Sequence, residues 1–202
     1  MDISETSKCN HVDVKTLAAT EWLKLQKINY IDSTGKSKTW DRVIRTSNKD
    51  KGVDAVCVLA YIKFKQSIEI LVVKQYRPPV NSFTLELPAG LIDKGESIHE
   101  AALRELKEET GYIGEVTSIS PMVSMSPGLS NESVKIVTVE IDLNNPLNVH
   151  PKQDTNDYKQ ISVIRVPINN LKLVLDEYSK EKNCIIHIGL YSIALGLNLA
   201  SI

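Results

Sequence analysis

Arg104, Glu105, Glu108 and Glu109 fall within six consecutive positions of the sequence, Arg104-Glu105-Leu106-Lys107-Glu108-Glu109. On a helix the three glutamates fan over about 100° of arc, so three carboxylates share one face. Like charges at that spacing repel by roughly a few tenths of a kcal/mol per pair. They also crowd a last helical turn, where the macrodipole disfavours anions. Lys or Arg would serve stability better there, and the arrangement makes sense if a divalent cation offsets the repulsion. Oxygen-only donors select Mg²⁺, or Mn²⁺, rather than zinc. Arg104 stands four residues before Glu108 and can steady one carboxylate. Taken alone, a Glu-Glu pair would be read as a solvated, charge-rich surface.

The elements around these residues decide how they are held. The helix is expected over Ile98 to Glu109, with Ser97 as N-cap and Glu100 three residues on, a capping box. Gly111 follows, where a left-handed residue is wanted. On the other side, Ile98, Ala102 and Leu106 recur at i, i+4 and i+8 and anchor the helix to a sheet. Strands are expected at Val53 to Phe64, Ile68 to Tyr76 and Phe83 to Leu87, the last followed by Pro88-Ala89-Gly90. Others are expected at Glu115 to Ser124, Val134 to Leu143 and Ile161 to Val166, with helices near Ile168 to Lys180 and Asn183 to Ala200. Residues 1 to 20 read as weakly ordered. Trp22 to Ile31 and Lys38 to Thr46 form an antiparallel hairpin around the turn Asp32-Ser33-Thr34-Gly35. The charged run Ser47 to Gly52 then separates a strand subdomain, residues 1–50, from the main domain, residues 51–202. The fold class is α/β, a mixed sheet with helices on both faces.

Composition narrows the function classes. Lys plus Arg number 24 against 25 for Asp plus Glu, a net charge of -1. That balance offers no field for a nucleic acid or an anionic membrane, so an anionic ligand must be held by local charge. Three cysteines, Cys9, Cys57 and Cys184, stand far apart without a C-x-x-C pair. A reducing compartment follows, the cytoplasm with the nucleus left open. The polar, acidic start Met1-Asp2-Ile3-Ser4-Glu5 is no secretory signal. The apolar stretch Ile185 to Ile202 is near the minimum for a membrane span but carries His187, Ser192, Asn198 and Ser201. It reads as a core or dimer-contact helix.

The complete segment resembles the Nudix box. Gly90 is followed after five residues by Glu96, and after seven more by Arg104-Glu105-Leu106-Lys107-Glu108-Glu109-Thr110-Gly111. Tyr112 stands where an aliphatic residue is usual. A chance match is on the order of 10⁻⁷ at ordinary residue frequencies, so the charge-rich-surface reading gives way. The flanks are similar to those of the eukaryotic ADP-sugar pyrophosphatases. They are Gln75-Tyr76-Arg77-Pro78-Pro79, Glu86-Leu87-Pro88-Ala89-Gly90-Leu91-Ile92 and Ser126-Pro127-Gly128-Leu129-Ser130-Asn131.

This resemblance implies the Nudix α/β/α sandwich and Mg²⁺-dependent hydrolysis of ADP-ribose to AMP and ribose 5-phosphate. It implies a metal set of the Ala89 carbonyl, Glu105 and Glu109, with Arg104 and Glu108 completing the catalytic group. Arg77 would contact the substrate phosphates, a task suited to a planar guanidinium, unless it is spent on a structural ion pair. Leu91 would line the pocket, and Glu86 and Gly128 join the substrate-binding set. Trp22 and Trp40 are the only tryptophans, and two indole faces can clamp a purine. The resemblance has them sandwich adenine, one from each subunit of a homodimer, with Asp41 and Arg45 reading the nucleotide's polar edge. Asp41 replaces a glutamate found in some relatives. The plainer alternative is that both tryptophans are core.

One departure bears on turnover. Where the resemblance expects a glutamate base, the sequence reads Asp154-Thr155-Asn156-Asp157-Tyr158-Lys159-Gln160-Ile161-Ser162. Lys159 takes the position of the base, Ser162 that of a second acid, and upstream Ser126 replaces an aspartate. A lysine with an ordinary pKa of about 10 is protonated and cannot take a proton. Three readings stay open: Asp157 or Asp154 serves from the same loop, Glu108 serves from the box, or the protein binds ADP-ribose with little or no turnover.

Overall fold

The computed structural model describes residues 9–46, 52–64, 67–154 and 160–200. Two compact units are distinguishable: residues 1–54 with 122–134, and residues 55–121 with 135–202.

In the first unit, β1 (Asn10–Ala19), β2 (Leu23–Ile31) and β3 (Ser37–Arg45) form an antiparallel sheet in the order β1-β2-β3. The expected hairpin is present, with an unbroken register from Leu23↔Arg45 to Ile31↔Ser37. Its turn is tied by Asp32 Oδ1, which accepts from the backbone N–H groups of Thr34 and Lys36, while Gly35 takes a φ of 79°. Strand β1 corrects the expectation of weak order before residue 20. Every residue in it is exposed, so it is held by its ladder to β2 and not by burial. Register shifts between His11 and Asp13 and between Thr16 and Ala18 break the period-two pattern that marks a strand in sequence. The segment Met122–Val134 belongs to this unit; the Val43 N–H donates to the Leu129 carbonyl at 2.9 Å.

The second unit is built on a mixed sheet. Its strands are β4 (Ala55–Phe64), β5 (Ser67–Arg77), β6 (Ser82–Glu86), β7 (Ala89–Leu91), β8 (Glu115–Ser124), β9 (Ser133–Ile141), β10 (Ser162–Pro167) and β11 (Ile185–Ile186). The order is β11-β6-β5-β4-β9-β8, with β10 added to β5 and β7 to β4. Pairing of β11 with β6 is parallel, and that of β5 with β4, β6 and β10 antiparallel. Helices α1 (Ile98–Thr110), α2 (Leu171–Glu181) and α3 (Ile188–Ala200) cover it. Strand alternation assigns the faces. Val56, Val58, Ala60, Ile62 and Leu71 pack with Ala101, Ala102 and Leu106 of α1. Ile70, Val72 and Leu85 pack with Leu171 and Leu175 of α2 and Leu190 and Ala194 of α3. The expected layered mixed sheet is therefore observed.

Two boundaries differ from expectation. Pro88-Ala89-Gly90, read as a connector, enters a short strand in which Ala89 pairs with Cys57. The last helix begins at Ile188 and not near Asn183. Asn183 is left-handed at φ 51°, and β-branched Ile185 and Ile186 then pair with Thr84 and Leu85 before the helix starts. No helix among the described residues is long and apolar enough to cross a membrane.

Candidate active site

Helix α1 begins and ends as its sequence dictates. The Ser97 side chain accepts from the Glu100 N–H at 3.1 Å and Glu100 returns the bond to the Ser97 N–H at 2.9 Å. Gly111 closes the helix at φ 78°, and its N–H donates to the Lys107 carbonyl. A side chain at Gly111 would strike the backbone of Pro151 and Lys152, so this glycine is also required by close approach of the chain beyond. That approach is fixed by Gln153, whose Nε2 donates to the Glu109 carbonyl at 2.5 Å and to the Ile161 carbonyl at 3.1 Å. The Asp154 N–H donates to the Glu108 carbonyl at 3.0 Å. The segment expected to carry the base thus starts at the C-terminal end of the acidic helix. Asp157 and Lys159 themselves lie outside the described residues.

Three glutamates on one face resolve into different environments. Glu105 and Glu109 are buried, at 4% and 2% exposure, whereas Glu108 is partly open. Arg104 does more than steady Glu108. It donates through Nε and Nη2 to both oxygens of Glu96 at 2.8 and 2.9 Å, and through Nη1 to Glu105 at 2.7 Å and Glu108 at 3.4 Å. Nη2 also reaches the Leu91 carbonyl at 2.9 Å, which ties the helix to the strand before it. Hydrogen bonding to Glu96 keeps the guanidinium charged, and the same bond, led by Arg104, holds the Glu96 carboxyl below its usual range.

Strand β7 is the other wall. The Ala89 N–H donates to Glu109 Oε2 at 3.1 Å. A Cβ at Gly90 would overlap the Glu105 carboxylate, so glycine there makes the space that the carboxylate fills. Two buried carboxylates are thereby brought against the backbone at Ala89 and Gly90. Among the described residues no three acidic, His or Cys side chains gather as a metal cluster. Glu108 pairs with Arg104 at 3.4 Å, on the same Nη1 that holds Glu105 at 2.7 Å. The two buried carboxylates, Glu105 and Glu109, are hard oxygen donors of the kind Mg²⁺ takes. The Cys57 thiol beside it is pushed up to about 12, first by burial and then by the charges of Glu86 and Glu109; it is no nucleophile.

Residues 52–183 match the NUDIX domain family model. The chain belongs to the Nudix family. Among its relatives, the ADP-sugar pyrophosphatase of Mus musculus is 41% identical over 201 residues, covering 98% of this chain and 92% of that protein. The ADP-ribose pyrophosphatase of Saccharomyces cerevisiae is 45% identical over 158 residues, 77% of this chain and 68% of that one. A solved ADP compounds hydrolase shares the fold, with a TM-score of 0.64 at 20% identity and 96% coverage of both chains. The carboxylate helix is accordingly the Nudix box of a hydrolase, and the box-helix geometry is what the family membership brings to this chain.

Arg77 of this Nudix domain binds Glu86 through both carboxylate oxygens, at 2.9 and 2.7 Å. Thr84 Oγ1 donates to the same carboxylate at 2.5 Å. Burial would raise the Glu86 carboxyl, but the Arg77 and Thr84 hydrogen bonds and the Arg77 charge outweigh it and hold it below its usual range. Leu91 is exposed.

The remaining expected residues lie in the first unit. Trp22 and Trp40 are 68% and 51% exposed, which excludes the reading of both as core. Trp22 stands just before β2 and not within a strand. Trp40 Nε1 donates to the Gly128 carbonyl at 3.0 Å. Trp40 lines a cavity of about 720 Å³ together with Tyr30, Arg42, Met122, Leu129 and Ser130. Arg45 is paired with Glu132 at 2.6 Å and Asp41 with Lys27 at 3.8 Å. The sequence reading missed Thr84 and Gln153. A lone Thr and a lone Gln carry no motif, and only the register and the loop path reveal them.

Proposed function

We propose that this Nudix hydrolase cleaves the diphosphate of ADP-ribose to AMP and ribose 5-phosphate with Mg²⁺. The observation that carries the reading is the reach of the kinship. The family match starts at residue 52, yet the likeness to the mouse ADP-sugar pyrophosphatase spans 98% of the chain and so includes the N-terminal sheet. An added unit bearing two exposed indoles and a cavity supports recognition of a purine, while the box serves the diphosphate.

Glu105, Glu109 and the Ala89 carbonyl would hold the Mg²⁺. Bound there, the ion supplies neutralisation of phosphate charge and a lowered pKa for water. Arg104 fixes Glu105 and leaves Glu109 to the Ala89 N–H, so both carboxylates are oriented before any ligand arrives. Arg77 offers a guanidinium fork for phosphate oxygens in exchange for Glu86. For the proton, Asp154, anchored to the end of α1, or Asp157 three residues further along the sequence serves first, with Glu108 as the box alternative.

The deciding experiment is AMP release from ADP-ribose by the purified protein, with Mg²⁺ and then with a chelator. Rapid release lost on chelation is expected, and Glu109→Gln is expected to cut it by more than the roughly 10–100-fold that loss of a ligand's outer partner costs. Lys159 motivates a second reading, an ADP-ribose binder with negligible turnover. That reading expects binding without release, and a rate gain of about 10² to 10⁴ on Lys159→Glu. A slow enzyme that stays slow in that variant excludes the missing-base account.

A further inference from the structure

Gln75 sits at a place where an amide should not be left idle. The residue is 7% exposed, and its Nε2 is shut off from solvent with no hydrogen-bond partner among the described residues. A buried donor without an acceptor is destabilising, and such groups are rare in native structures.

Its surroundings are set by register. Val73 pairs with Glu86, Gln75 with Thr84 and Arg77 with Ser82 along β5 and β6. Alternation places Gln75, Arg77, Thr84 and Glu86 on one face, the face that Leu71 shares with α1. From Arg77 to the position opposite Glu86 is four residues, about 13 Å along the strand. The bidentate Arg77–Glu86 bridge must therefore close over the Gln75–Thr84 pair. Thr84 already donates to Glu86 from below. Gln75, diagonal to Glu86, lies within reach of a long side chain.

We propose that Gln75 is the stand-in donor for Glu86: when Arg77 turns to a phosphate oxygen of the ligand, the Gln75 amide takes its place on the buried carboxylate. This rests on the functional reading of Arg77 as the phosphate contact. Glu86 is 9% exposed, and a buried carboxylate stripped of its cation is strongly disfavoured. Without a substitute, the ion pair would hold Arg77 back from the ligand. With Gln75 and Thr84 both donating, Glu86 keeps two hydrogen bonds in the exchanged state. Gln75 is thus a positioning residue that acts through Arg77, and its idle amide in the resting chain is the counterpart of that role.

The test measures ADP-ribose affinity by calorimetric titration of the full chain in chelator, with AMP release in Mg²⁺ followed separately. Gln75→Leu keeps the volume and removes the donor; it is expected to weaken binding about tenfold, the worth of one hydrogen bond to a charged group. Its melting temperature is expected to stay level or rise, since an unpaired buried donor has gone. Gln75→Met serves as the second isostere if leucine lowers the melting temperature. In a Glu86→Gln background the same substitution is expected to change affinity less than about twofold, because no charge is left to exchange. Wild-type affinity in Gln75→Leu overturns the proposal, and so does an equal loss in both backgrounds, which would make Gln75 a direct ligand contact. AMP release without the affinity ratio overturns the exchange alone; the ratio without release overturns the hydrolytic reading alone. Failure of the wild-type chain to bind ADP-ribose overturns both.

Discussion

Gly90 shows how a single missing atom shapes the acid site. Its Cβ position is occupied by the Glu105 carboxylate, so Gly90→Ala must displace the carboxylate or bend β7. Overpacking of this kind costs about 1–3 kcal/mol. The displaced group is also one of the two buried carboxylates, so activity is expected to fall further than stability. Thermal unfolding and AMP release measured on the same preparation compare the two losses. A variant with equal small effects on both would show that Glu105 relaxes freely. Two ion-paired carboxylates contribute to acid stability. The Glu86 and Glu96 carboxyls are held below their unfolded value of 4.5, Glu86 by Arg77 and Thr84 against its burial and Glu96 by Arg104. Their folded pKa values are depressed, so the stabilisation is complete above pH 4.5 and is lost as pH falls through that value toward the folded ones. Urea midpoints are expected to be flat from pH 7 to about 5.5 and to fall below about 4.5. Glu96→Gln is expected to flatten that fall, and an unchanged profile would remove Glu96 from the account.

At the scale of the element, α1 depends on its ends as much as on its packed face. Ser97→Ala removes one half of the capping box and is expected to cost about 1 kcal/mol, read as a lowered melting temperature. Gly111→Ala is expected to be worse, because the position has φ 78° and backbone of Pro151 and Lys152 in the Cβ space. How far these elements are legible in sequence follows from where their information lies. Helix α1 was readable because its cap, its apolar repeat and its acid pattern are all local. Strand β1 was not, since two register shifts break its alternation and its order comes from β2. The short β11 was hidden inside an apolar run that also suits a helix, and its parallel partner is about a hundred residues away, Thr84 and Leu85. Within the site, the acids were legible as a motif, but the Arg104 fork onto Glu96 was underestimated. An i, i+4 rule finds Glu108 and not a residue eight positions back. Thr84 and Gln75 matter through cross-strand register alone.

At the scale of the whole molecule, the number of chains that make one site sets how the substrate is held. Among the described residues β1 pairs on one side only, with β2, and it is exposed along its length. Natural edge strands are guarded by charge, proline, bulges or cover; β1 carries Asp13, Lys15 and two register shifts, but between them it also presents Val12, Val14 and Leu17, all exposed. Leu23, Leu25 and Trp40 add to the exposed apolar surface of the same sheet, with exposed Trp22 just before β2. An edge of this kind suits pairing with a second copy, and we propose that it does so in a homodimer. If each adenine is sandwiched by tryptophans of two chains, dimerisation and substrate affinity must fail together. Val12→Asp with Val14→Asp places two charges on the edge without touching either indole. Light scattering is expected to fall from the dimer mass to that of one 22.5 kDa chain. KM for ADP-ribose is expected to rise about tenfold, the upper range for one lost aromatic stacking contact, with kcat changed far less. Trp40→Ala is expected to raise KM similarly while the mass stays that of the dimer. A monomer that keeps its KM would mean that one chain completes the site, and the exposed edge would then need another explanation.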